Sequence, residues 1–250
     1  MMVHHTVMVL WEIFPLWVHL PLYVIRGVTF PIMAFFLVEG FRRTSNIKKY
    51  MFRLLVFAII AQIPYMLALG FFMLNIIFTI LLSLICLVLY EKLYVKKQKH
   101  GLFIATFIFI ILFSVFFFEG GFFGPILIFL FHVIKNEKER RTLPLVYWGG
   151  TMLLMTLFLH ILMIFLTAFD LKDILAEIQI PEYLQLELML AQYYVFSIGS
   201  FAIIPLLRAY NGQLGKRAKY LFYTFYPLHW AVLAIIAIAL GLRDFTISMF

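Results

Sequence analysis

The sequence predicts an all-α, polytopic transmembrane helix bundle of about nine spans, on three observations. The chain of 250 residues is 65% hydrophobic and only 13% charged, with a mean hydropathy of +1.03, whereas soluble domains are about a quarter charged. Its long apolar runs, such as LFIATFIFIILFSVFFF at 102–118, lack the polar/apolar alternation of membrane barrel strands. Seventeen of the 20 Lys and Arg residues fall in four short breaks between such runs. These breaks are Arg42–Arg53, Lys92–Lys99, Lys135–Arg141 and Arg208–Lys219. Lys- and Arg-dense loops stay on the cytoplasmic side of a bilayer, so all four belong on one face. The net charge of +8 then needs no nucleic-acid partner, because the positive-inside rule accounts for it.

A helical span needs about 20 apolar residues. The first run, 3–22, is long enough although it carries His4, His5, Glu12 and His19. The second, 27–41, ends in Glu39 just before Arg42 and Arg43. The third and fourth, 54–72 and 73–90, form a hairpin between the first two basic breaks. The fifth and sixth, 101–118 and 122–134, turn at Glu119-Gly120-Gly121 on the outer side. The second and sixth are short, which requires tilt or local thinning of the bilayer. The seventh, 143–168, leads to an acid-rich outer segment, 170–189, that reads as a short amphipathic surface helix broken by Pro181. The eighth and ninth, 190–207 and 220–242, flank the last basic break. With every basic break inside, the N-terminus is predicted to be cytoplasmic and the C-terminus external. One domain, 1–250, is expected, without a cleavable signal peptide. The lone Cys86 supports neither an intrachain disulfide nor a metal site.

An ionisable side chain within a span costs about 2.5–3.5 kcal/mol on insertion scales, so such residues are functional candidates. They are His4, His5, Glu12, His19, Arg26, Glu39, His160 and His229. A packed, hydrogen-bonded histidine is the simplest account of His160. Snorkelling to the outer interface accounts for His19 and Arg26, and solvation accounts for His100 and His132. On parity, His4 and His5 sit at the cytoplasmic end of the first span. Arg42, Arg43, Lys48, Lys49 and Arg53 put five positive charges in twelve residues with no acid among them. Beyond fixing topology, that density suits a cytosolic polyanion, since Arg grips phosphate through a planar fork. Glu39 lies within one helical turn of Arg42 and Arg43 and is placed to order them.

Residues 29–65 carry Phe30, Pro31, Phe35, Glu39, Gly40 and Phe41, followed by Thr44, Lys49, Tyr50, Arg53, Leu54 and an Ile63-Pro64-Tyr65 close. Together with LNIIFTILLSL at 74–84 and YNGQLGKRAKYLFYTFYPLHWAVL at 210–233, this resembles the TraX family of membrane acetyltransferases. That family is named for a protein that acetylates the N-terminal amine of pilin. The chain is also distantly similar to acyltransferase family 3. His5 matches a family histidine, and His4 stands where family members carry Asp.

The resemblance implies a multi-pass protein of the bacterial inner (plasma) membrane that moves an acetyl group from cytosolic acetyl-CoA to an amine or hydroxyl. The acceptor would be a peptide N-terminus or a sugar. His5 would serve as general base, near neutrality for an imidazole, and His229 is the second catalytic candidate, whether it aids catalysis, orients the base or contacts the acceptor. Arg42, Arg43, Lys48, Lys49 and Arg53 would hold the phosphates of coenzyme A. His4, Glu39, Tyr50, Asn75, Asn211 and Tyr226 would support them, and no metal is expected. A small transporter or transporter subunit is the rival class, because intramembrane His and Glu also serve proton relays, although no internal repeat is visible. A structural protein for assembling a surface appendage is a third.

Overall fold

The computed structural model describes residues 2–10, 13–169, 183–213 and 219–243. These form α1 (Met2–Val9), α2 (Leu16–Arg43), α3 (Ile47–Leu69), α4 (Ile76–Leu89), α5 (His100–Phe117) and α6 (Phe123–Val133). After them come a single turn α7 (Glu137–Arg140), then α8 (Leu143–Ala168), α9 (Tyr183–Ala209) and α10 (Lys219–Ala239). A π-helical stretch, Tyr90–Lys96, extends α4 toward the second basic break. No strand occurs among the described residues, only an isolated bridge between Leu74 and Phe118. The chain is therefore an all-α, polytopic membrane bundle. Six helices are long and apolar enough to cross a bilayer, while α6 and the apolar part of α10 are shorter.

The first two expected spans are redrawn. Residues 16–43 form one 28-residue helix, and the first span shrinks to the eight residues of α1, too few to cross. Pro15 disfavours helical backbone at Phe14, and the chain turns there so that α1 folds back along α2 toward Arg26. The sense of α1, running away from the basic face, is the one expected. Its depth is not, because His4 and His5 share a cavity with Arg26, Thr29 and Met33. Met33 and Arg26 precede Arg43 by 10 and 17 residues of α2, about 15–25 Å of helix. Residues 170–182, where the surface helix was expected, and Glu12 lie outside the described residues. Residues 183–189 belong to α9.

The most extensive helix pair is α2 against α9, and it is made by absent side chains. A Cβ on Gly199 would stand 2.0 Å from the Val24 carbonyl oxygen, and one on Gly27 would stand 2.1 Å from that of Phe196. Small residues let membrane helices approach backbone to backbone. Pro31, inside α2, has no N–H for the Gly27 carbonyl. Ser200 Oγ, buried on α9, donates weakly to that carbonyl (3.4 Å) and to its own Phe196 carbonyl (3.0 Å). The carbonyl that the proline leaves open thus has at most a shared, weak donor from the neighbouring helix.

Two connections run back into the bundle at mid-depth. After α3 ends at the left-handed Gly70 (φ 80°), the chain descends in an extended stretch to Asn75. The Asn75 amide donates to Ala58 O and Gln62 Oε1 (both 2.9 Å), while its Oδ1 caps α4 by accepting from Ile77 N–H (3.0 Å). Gln62 in turn donates to the Met73 carbonyl (2.6 Å). Leu74 N–H donates to Phe117 O, and Glu119 N–H to Leu74 O (both 2.9 Å), tying this stretch to the turn between α5 and α6. Non-helical backbone at membrane depth survives only when enclosed or lining a cavity, and this one does both. Asn75→Ala is expected to cost about 2 kcal/mol, from the lost cap and the stranded partners, read as a lower unfolding midpoint in detergent.

Candidate functional site

α1, α2 and the α5–α6 turn converge on a cavity of about 130 Å³ whose polar lining is His4, His5, Arg26, Thr29 and Glu119, and α10 packs behind His5 without lining it. His5 is 3% exposed and stacks on Trp230, with ring centroids 4.2 Å apart. His229, 5% exposed, is held against it from α10. Tyr226, one turn earlier and buried, meets both imidazoles edge-on. The family-like spacing Tyr226-Pro227-Leu228-His229 therefore places one aromatic wall and one histidine on the same helical face.

The hydrogen bonds fix the tautomers. His229 Nδ1 lies 3.0 Å from the Phe225 carbonyl, which only accepts, so Nδ1 carries the proton and His229 Nε2 is an acceptor. His5 Nδ1 lies 2.6 Å from that Nε2 and so donates to it. The remaining nitrogen, His5 Nε2, is left with a lone pair. It lies 4.0 Å from Glu119 Oε1. Glu119 is in turn fixed by the first N–H of α4, Ile76 N donating to its Oε2 at 3.0 Å. The arrangement can take a proton on His5 Nε2, share the charge with His229, and face it with a carboxylate.

The other candidate residues gather at the opposite end of α2. Glu39 pairs with Arg43 (2.9 Å), as its spacing implied, and with the buried Arg140 (2.8 Å). Arg42 donates to the His132 carbonyl (3.0 Å), and Arg43 to that of Gly212 (2.8 Å). Lys48 and Lys49 are exposed on the first turn of α3, and the Arg53 guanidinium stands 5.9 Å from the Tyr50 ring centroid. The Tyr50 hydroxyl comes within 3.1 Å of where a Gly40 Cβ would sit, so the two helices pack closely there. Asn211 Oδ1 accepts from Gln213 N–H (2.9 Å) and shapes the turn at Gly212 (φ 76°). Asn75 buttresses the cavity from below through its cap on α4. The histidine pair and the cationic group are thus separate, about 24 Å apart from Arg26 to Arg42 along α2. Between these levels lie fully buried Phe35 and Val38 of α2, Leu84 and Leu87 of α4, and Leu127 and Phe131 of α6.

Sequence reasoning did not find Glu119, which reads as part of an outer turn, and it assigned Arg26 to the interface. His19 is not snorkelling either, being 2% exposed with Nε2 within 2.8 Å of the Phe14 carbonyl. His132 pairs with Glu91 (2.9 Å) rather than standing in solvent. His160 packs as expected, with Nδ1 3.1 Å from the Tyr194 hydroxyl. No group of three His, Cys, Asp or Glu side chains among the described residues is placed to hold a metal ion.

Fold and site together define a class: an integral membrane protein with a half-open, largely apolar cavity at mid-depth that carries two histidines, an arginine and a glutamate. The chain belongs to the TraX family, which matches residues 1–237. It is similar to the probable fimbrial assembly protein FimC, serogroup H1, of Dichelobacter nodosus. The two are 29% identical over 231 residues, covering 82% of this chain and 78% of that protein. No solved structure matches. The distant likeness to acyltransferase family 3 gains nothing from these comparisons.

Proposed function

We propose that the protein is a membrane acetyltransferase that passes an acetyl group from acetyl-CoA to an amine or hydroxyl, with His5 as general base. The observation that carries this reading is the relay from the Phe225 carbonyl through His229 to His5, which leaves His5 Nε2 unprotonated toward the cavity. An acceptor N–H or O–H loses its proton to that nitrogen as it attacks the thioester carbonyl. Glu119 stabilises the imidazolium that results. Lys48 and Lys49, exposed at the basic face, receive the phosphates of coenzyme A together with Arg42 and Arg53. The long pantetheine arm then bridges the two levels, which requires the apolar layer around Phe35 and Phe131 to part.

The family's namesake activity and the fimbrial name of the relative support a peptide N-terminus of pilin-like type as acceptor. Interrupted helices at mid-depth also suit a transporter, so the assay must separate the two. Purified protein in proteoliposomes receives labelled acetyl-CoA and a synthetic pilin-like peptide with a free N-terminus. Acetylated peptide and free CoA are expected to accumulate in equal amounts. Movement of solute across the vesicle without acetyl consumption would establish the transporter instead, and neither event would leave an assembly role.

A further inference from the structure

Acyl transfer needs a partner for the oxygen that becomes negative, and the relay supplies none. His5, His229 and Glu119 handle a proton and a positive charge. Glu119 is committed to the α4 N-terminus and to His5. The cation in the cavity is Arg26, one of its lining residues. An arginine at this depth is expensive and marks function by default. Among the described residues no carboxylate lies within 4.0 Å of it, although Glu119 is near enough for the two charges to attract and the Tyr23 side chain hydrogen-bonds to it. Its guanidinium stands 5.1 Å from the Tyr23 ring centroid. Beside it, His4 Nε2 is buried without a hydrogen-bond partner among the described residues.

The cavity has room for the reacting atoms. About 130 Å³ is the space of roughly four waters, enough for an acetyl group and the atom attacking it. Phe30, Met33, Ile76, Gly120, Trp148 and Phe196 form the rest of the wall. An apolar wall of this kind strengthens a fixed charge acting on a developing one.

The geometry points to Arg26 as the oxyanion-binding catalytic residue of this cavity, with His4 as the second donor beside it, an assignment that rests on the acetyl-transfer reading. The acceptor's lone pair forms a bond to the thioester carbon while the carbonyl π pair moves onto oxygen, which faces the guanidinium fork. The acceptor's proton goes to His5 Nε2. The oxygen's pair then reforms the carbonyl, the carbon–sulfur bond breaks, and the CoA thiolate takes the proton back from His5. No oxidant or reductant is required.

The test uses Arg26→Met and Arg26→Lys in the proteoliposome assay. Arg26→Met is expected to lower kcat by about 10²–10³-fold with KM for acetyl-CoA near the wild-type value, and Arg26→Lys is expected to recover part of the loss. Unchanged kcat, or a loss confined to KM for the peptide, overturns the assignment. A readout independent of turnover uses acetate as an oxyanion mimic. Acetate should slow modification of His5 by diethylpyrocarbonate in the wild type and not in Arg26→Met. Equal protection in both proteins, or none in the wild type, also overturns it. A wild type that consumes no acetyl-CoA would defeat the acetyltransferase reading alone, and acetate protection would still decide whether Arg26 holds an oxyanion.

Discussion

His5→Ala is expected to reduce acetyl-CoA turnover by about 10²–10⁴-fold, the contribution of a positioned general base. The substitution removes the nitrogen that receives the proton and also strands His229 Nε2, which accepts from His5 at 2.6 Å. Two companions apportion the loss. His229→Phe keeps the aromatic bulk beside Phe225 but frees His5 to change tautomer, so it should lower kcat less than His5→Ala does. Glu119→Gln keeps an acceptor for Ile76 N–H and removes the charge opposite the imidazolium, so the rate should fall while the fold persists. Wild-type turnover in His5→Ala would end the proposed role of the relay.

Gly199→Val is expected to produce the largest structural effect, about 3 kcal/mol or more of destabilisation with little correctly folded protein recovered. Overpacking a tight interior ordinarily costs about 1–3 kcal/mol because side chains adjust. Here the obstacle is a backbone oxygen, that of Val24, 2.0 Å from the new Cβ, and backbone does not rotate away. The helices would have to separate along their main contact. Gly150 is the control, since nothing lies within 4 Å of a Cβ added there. Unfolding midpoints and size-exclusion profiles in detergent distinguish the two; equal behaviour would show that α2 and α9 do not depend on that approach.

Much of this was legible in the sequence. The four basic breaks sort helices by sense, and they place Glu39, Arg42, Arg43 and Arg140 on one face, where the structure joins Glu39 to Arg43 and Arg140, and Glu137 to Arg42 and Arg140. Residue type put His5 and His229 among the candidates and the family resemblance singled them out, although nothing local shows that positions 224 apart touch. Glu119 escaped because an acid followed by two glycines reads as a solvated turn. A signal was present in the shortness of 122–134, which was put down to tilt or thinning. A short helix between a basic break and a turn equally means that the turn is sunk within the bundle. The first span misled for a different reason: hydropathy averages over Pro15, whereas backbone geometry does not.

α6 also bears on energetics. Its 11 residues rise about 16 Å, close to half of a hydrocarbon layer about 30 Å thick, and they separate the Glu119 turn from the cytoplasmic end. A proton exchanged between the histidines and the cytosol by that route crosses about half of the membrane's voltage. That is worth about 1 kcal/mol for each 100 mV across the whole bilayer. If His5 exchanges its proton by that route, an energised cell and a depolarised vesicle would load it at different cost.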